Sequence, residues 1–326
     1  MRLRLLSPAD LADEAGFARV AAAGDEDPLP GIGPEKLREE LAARRIRPEW
    51  IGLAEDEEGR PLARALWWGR ADGELPVALD CLRVSPAAAE AAGTTPEELG
   101  AALLALGHES FGRRPEYNLM LAPDWHEREA LREGAAWRRA AAARGGLGRE
   151  IERLRFEWTP ETAVPAPAVD AERPGPVFRP GTDDEFREVF ARVAAGSLDL
   201  HTRGELARGA TPEEIAADDL AFYEDCPGER SWWRLALLPD GETVAGFTVP
   251  SATPYARNVG YIGVVPEQRG RGLIHPILAE TVRVHRESGA ERITATTDAV
   301  NVPMAAAFEK AGFTVTERRL IWERQD

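Results

Sequence analysis

Apolar positions along the chain follow two rhythms, and the rhythms come twice in the same order. Residues 50–69 (WIGLAEDEEGRPLARALWWG) and 232–250 (WWRLALLPDGETVAGFTVP) are each apolar on both sides of a glycine-containing turn, which predicts a strand pair. PVALDCLRV (76–84) and VGYIGVV (259–265) predict the next strand of each half, and EELGAALLALGHESF and LIHPILAETVRVH predict the helices that follow. YNLMLAPDW then matches RITATTDAV, LREGAAWRRAAAARGG matches AAFEKAGFTVTERR, and both halves close on a tryptophan-containing strand, RLRFEW and RLIWE. Each half also opens alike, with a strand, a proline turn and a helix: LRLLSPADLADEAGFARV and VFRPGTDDEFREVFARV. A period near half the chain is too long for a solenoid and reads as a duplicated domain; two unrelated α+β domains are the alternative. The Trp67–Trp68 and Trp232–Trp233 pairs fall in strand patterns, which predicts one core-facing and one outward ring in each.

Residues 159–176 (TPETAVPAPAVDAERPGP) have no apolar period and predict a semi-rigid linker between domains at 1–158 and 177–326. A length of 326 residues with 44% hydrophobic content suits two ordinary cores. A net charge of −16 argues against nucleic acid and anionic membranes as partners, because neutralising phosphates needs a basic face. No run approaches 18 apolar residues and the N-terminus has too short an apolar stretch for a signal peptide, so a cytoplasmic protein is expected. Cys81 and Cys226 stand far apart without a CxxC, and the five histidines show no HxxxH, which argues against a disulfide or a metal site.

The stretch VVPEQRGRGLIHPIL (264–278) sets Arg269, Gly270, Arg271 and Gly272 between a strand and a helix. Glycines let the backbone turn tightly and let a bulky group approach its amides. The first N–H groups of the helix lack intrahelical partners and the dipole is positive there, so the corner predicts an anion site. After LRV the first half runs SPAAAEAAGTTPEEL and has no such loop.

Residues 259–313 resemble the GNAT superfamily of acyl-CoA-dependent N-acyltransferases. VGYIGVVPEQRGRGL is similar to that family's V-x-P-x-x-R-G-x-G signature, and TDAVNVPMAAAFEKAGF to its Asn-then-helix-then-Gly-Phe block, in the same order and at a fitting spacing. The resemblance implies two tandem α/β (α+β) domains, each a mixed, mostly antiparallel sheet flanked by helices. It is a layout shared with tandem acyltransferases that build the thiol mycothiol. It implies acetyl-CoA or another acyl-CoA as cofactor. The pyrophosphate would lie on the amides of Arg269, Gly270, Arg271, Gly272, Leu273 and Ile274, and the pantetheine arm along Gly263, Val264 and Val265. The Val264 N–H would donate to the thioester carbonyl. Asn301 would fix the cofactor arm or cap the following helix, and Phe308 would contact the cofactor or fill the core.

The chain departs from the family where protons move. Phe308 stands where many members carry a tyrosine that protonates the departing thiolate. Asn258 stands where some carry a carboxylate. Ile274 replaces a small residue in the loop. His201 and Asp298 are then the candidates for the base, or solvent takes the amine's proton, which predicts a rate still rising beyond pH 8. The expected function is transfer of an acetyl group from coenzyme A to a primary amine of a small molecule or peptide by direct attack, by a monomer or homodimer. A non-catalytic acyl-CoA-binding module is the alternative.

Overall fold

Capping residues mark where helices begin. Thr95, Thr182 and Thr211 each accept from the backbone N–H three residues on, and Glu98, Glu185 and Glu214 return the bond to the capping N–H. A computed structural model describes residues 1–162 and 175–324. In chain order these form β1 (Arg2–Leu5), α1 (Glu14–Ala22), α2 (Pro34–Ala42), β2 (Ile51–Glu55), β3 (Pro61–Trp68), β4 (Ala78–Val84) and α3 (Pro86–Ala91). Then come α4 (Pro96–Phe111), β5 (Glu116–Leu121), α5 (Glu129–Arg144), β6 (Leu147–Trp158), β7 (Val177–Arg179), α6 (Asp183–Ala195), α7 (Leu200–Ala207) and α8 (Pro212–Asp225). The remainder is β8 (Arg234–Leu237), β9 (Val244–Ala252), β10 (Arg257–Val264), α9 (Ile274–Glu287), β11 (Ile293–Asp298), α10 (Val302–Lys310) and β12 (Thr314–Arg324). Of the linker expected at 159–176, residues 163–174 lie outside the described residues.

Two compact units result, one made of Met1–Glu152 with Glu317–Asp326, the other of Arg153–Thr316. The first has strand order β1-β2-β3-β4-β5-β12, with β4–β5 parallel and the other registered pairs antiparallel. The second has β6-β11-β10-β9-β8-β7, with β10–β11 parallel and the rest antiparallel. Each half of the chain therefore gives its last strand to the other unit, and the boundaries at 158 and 177 drawn from chain continuity do not coincide with the units.

Aromatic burial accounts for the exchange. Trp322 of β12 is 2% exposed and packs on Tyr117 of β5, with centroids 5.0 Å apart, in the first unit's core. Phe156 and Trp158 of β6 sit in a core of the second unit with Phe308 and Phe313. At roughly 25 cal/mol per Å² of apolar surface, a buried tryptophan or phenylalanine is worth enough to decide which sheet a strand joins. The tryptophan pairs split differently. Trp67 is buried and Trp68 half-buried, as alternation predicts. Trp232 and Trp233 are both buried, because Trp232 ends a 3-10 turn rather than lying in a strand.

Strands β10 and β11 are registered only at Arg257–Ile293 and Asn258–Thr294. The register of β10 on β9 shifts between Asn258 and Tyr261. Gly260 makes that bulge at φ +71°, where an added Cβ would lie 2.1 Å from the Val249 carbonyl oxygen. Beyond the bulge the two parallel strands part, and the gap between them positions the site.

Candidate functional site

Backbone alternation decides what the gap offers. The Val265 N–H donates to the Ala245 carbonyl (3.0 Å), and Val264 is registered opposite Gly246 on β9. An added Cβ on Gly246 would lie 2.3 Å from the Gly263 carbonyl oxygen, so that carbonyl also faces β9. Groups of alternate residues point to opposite edges, so the Val264 N–H and the carbonyl of Ile262 face the gap on the β11 side. Of the three residues expected along the pantetheine arm, Val264 thus presents its amide to the opening. Gly263 and Val265 turn theirs to β9, and the Val265 carbonyl accepts from the Gln268 N–H (3.0 Å).

The loop follows at once. Gly270 and Gly272 have φ +74° and +75°, and an added Cβ on either would meet no atom closer than 4.0 Å. Leu273 provides no side-chain cap for α9. Among the described residues, no carbonyl or side chain accepts from the N–H groups of Gly270, Arg271, Gly272, Leu273 and Ile274. Five consecutive amides without a partner, at the positive end of a 14-residue helix, are an exposed anion nest. Arg271 is exposed beside them. Arg269 instead braces the loop. Its Nε donates to the Val264 carbonyl (3.0 Å) and its Nη1 to the Gly196 carbonyl at the end of α6. These open amides and the parted strands fit a long ligand with an anionic end and an amide-bearing arm, as a coenzyme A thioester has.

The other predicted residues separate. Asn301 caps α10, its Oδ1 accepting from the Met304 N–H (3.4 Å). Phe308 is 2% exposed, between Phe156 (5.1 Å) and Phe313 (5.3 Å). It is a core residue, in one cluster with Val259 of β10 and Ala295 of β11. Phe308→Tyr should therefore cost about 1–3 kcal/mol of stability by burying a hydroxyl without a prepared partner, leaving turnover within about tenfold. Thermal unfolding and initial rates measured together check this, and a gain in kcat at unchanged stability would contradict it. Asp298 is 1% exposed. Its Oδ1 accepts from Arg153 (3.0 Å) and its Oδ2 from the Leu200 N–H (2.6 Å), so it anchors the start of α7. Burial, and after it the nearby Asp199, push its carboxyl above the ordinary range, but both oxygens are committed. His201 lies on the exposed side of α7, 3.6 Å from Glu205. The Asn258 carbonyl accepts from His285 (2.8 Å) and its side chain from Thr294 (3.4 Å), at the closed end of the gap.

One carboxylate was missed. Asp219 lies on α8, one turn before Tyr223, whose ring stacks on Tyr261 of β10 (5.7 Å, interplanar angle 18°). Tyr261 in turn packs on Phe190 and Phe247 and precedes Val264 by three residues on the strand that borders the gap. Burial first, then the negative charges of Glu205 and Asp199, raise the Asp219 carboxyl to about 7. The same burial lifts both tyrosines above their ordinary range. The capping box Thr211–Glu214 announced α8, and the Asp219–Tyr223 spacing put both on one face.

A family model described as the acetyltransferase (GNAT) family matches residues 201–313, within the second unit. The mycothiol acetyltransferase of Corynebacterium glutamicum strain R is 33% identical over 97 residues, 28% of this chain and 33% of that protein. That of Corynebacterium aurimucosum is 32% identical over 135 residues, 40% of this chain and 41% of its own. The matched stretches thus span well under half the length of these relatives. A crystal structure of a GCN5-related N-acetyltransferase from Sphaerobacter thermophilus superposes with a TM-score of 0.56 at 19% identity, covering 98% of this chain and 94% of that one, a likeness of fold.

Proposed function

The chain belongs to the GNAT family through residues 201–313, and from that premise we propose that its second unit transfers an acetyl group from acetyl-CoA to a primary amine of a small molecule or peptide. The observation that carries the proposal is the run of five unpartnered amides, Gly270 to Ile274, continuous with the Val264 N–H at the gap between β10 and β11. Acetyl-CoA supplies an acyl thioester. The amides and Arg271 hold its pyrophosphate, and the Ile262 carbonyl pairs with an N–H of its arm. The Val264 N–H donates to the thioester oxygen as charge gathers there. Asp219, Asp199 and Glu205 give the acceptor side a negative field that favours an alkylammonium. Asp219, ionised above about 7, takes the proton that the ammonium must lose before its nitrogen can attack. The C–N bond then forms, the nitrogen gives up its second proton to solvent or to the departing sulfur, and the C–S bond breaks. The leaving thiolate, with a pKa near 8.5 by analogy with cysteine, needs no acid from Phe308.

Coenzyme release measured across a panel of amines tests the reaction, and tight acetyl-CoA binding without release for any amine would leave only a binding module. Gly272→Glu tests the site. Its backbone conformation disfavours any side chain, and the new carboxylate would face the phosphates. Acetyl-CoA affinity should fall at least about tenfold, or ~1.4 kcal/mol. Unchanged affinity in a folded variant would place the phosphate site elsewhere.

A further inference from the structure

The first unit repeats the gap and fills it with its own side chains. Strands β4 and β5 are registered only at Ala78–Glu116 and Leu79–Tyr117, and β4 shifts register on β3 between Leu66 and Trp67. The Ser85 N–H donates to the Leu62 carbonyl (3.0 Å), as the Val265 N–H does to Ala245 in the second unit. Val84 therefore corresponds to Val264 and Leu82 to Ile262, and the Val84 N–H and Leu82 carbonyl face the side of β5. Both are taken. The Val84 N–H donates to Asp27 Oδ2 (3.0 Å), and Arg138 Nη2, reaching in from α5, donates to the Leu82 carbonyl (2.8 Å). Asp27 and Arg138 are joined at 2.5 Å, and each side chain is 1% exposed. The Leu29 N–H holds Asp27 Oδ1 (3.1 Å), and the Gly134 carbonyl accepts from Arg138 Nη1 (3.0 Å).

We infer that this ion pair is a built-in occupant of the first unit's groove: it satisfies the two main-chain groups that an amide-bearing acyl-thioester arm would use, so the chain takes one acyl-CoA and not two. The carboxylate stands for the arm's acceptor and the guanidinium for its donor. A peptide-like ligand would have to break this buried pair and strip each charge of the partner and backbone groups that hold it, which is strongly unfavourable. This closure is independent of the missing glycine loop after Val84, because it acts on the arm rather than on the phosphates. It rests on the reading of the second unit's gap as the ligand site.

Amide hydrogen exchange on the full chain, with and without saturating acetyl-CoA, tests the inference. Without ligand, the Val84 amide should exchange as slowly as that of Ser85. If it exchanges freely, the groove is not occupied and the inference falls. With ligand, exchange should slow at Val264 and over 270–274 and stay unchanged over 82–84. Calorimetric titration should end at one equivalent, bound at least about tenfold more weakly in Gly272→Glu. A second equivalent whose affinity Gly272→Glu leaves unchanged, or new protection over 82–84, would overturn it. Protection at neither groove, with Val84 already slow, would refute the proposed function of the second unit while upholding the closure of the first.

Discussion

Asp219→Asn is expected to lower kcat/KM by about a hundredfold at pH 8 and to remove an inflection near pH 7. General-base catalysis by a positioned side chain is worth about 10² to 10⁴, and Asn accepts no proton. In the wild-type protein Asp219 ionises at about 7, so kcat/KM should rise with pH through that value and then level. The solvent relay expected from Phe308 and Asn258 alone predicts a different curve, still climbing beyond pH 8. Stability separates a lost base from a damaged fold. The folded-state pKa lies above the unfolded one near 3.9, so the native state binds this proton more tightly. Ionising Asp219 therefore destabilises the protein as pH rises from about 4 to 7, and Asn removes that penalty. The variant should unfold at or above the wild-type temperature at pH 8, with the difference narrowing toward pH 4. Retained activity, or a loss of activity that tracks a lower unfolding temperature, would sink the assignment.

Arg138→Met should cost the first unit about 3–5 kcal/mol, because it leaves Asp27 charged and buried with only the Val84 and Leu29 amides for company. For a unit of this size that is roughly a 10 °C fall in unfolding temperature. Adding Asp27→Asn removes the uncompensated charge and keeps an acceptor for a backbone N–H, so the double variant should recover much of the loss. Such a coupling is expected only of residues in direct contact. Additive losses in the two single variants would mean that the pair is not the unit the geometry describes.

Much of the fold could be read from local pattern. The strand pairs at 50–69 and 232–250, the helices after Val84 and Gly272, and the anion loop all announce themselves within a few residues of chain. What escaped depends on partners far away in sequence. Nothing in RLRFEW or RLIWE says which sheet it will join, since that choice is made by Phe308 for one strand and by Tyr117 for the other. Asp298 looked like a free carboxylate at a strand end, and only the approach of Arg153 and the Leu200 amide shows it to be an anchor. Asp219 is an ordinary helix residue until burial and the charges of Glu205 and Asp199 set it apart. Phe308 could be read either way, and burial decides for the core.

The exchange of last strands also bears on how the chain is made. A ribosome delivers residues 1–152 first, yet β5 waits at the edge of its sheet until residues 317–324 have left the exit tunnel. Until then β5 presents a row of unpaired amides and carbonyls, the kind of edge that recruits other chains. The second unit has no such delay, because residues 153–158 precede it. A chain stopped just before residue 317 would thus carry a complete second unit and an unfinished first one. Damage at the C-terminus would be felt by the half of the protein that was synthesised earliest.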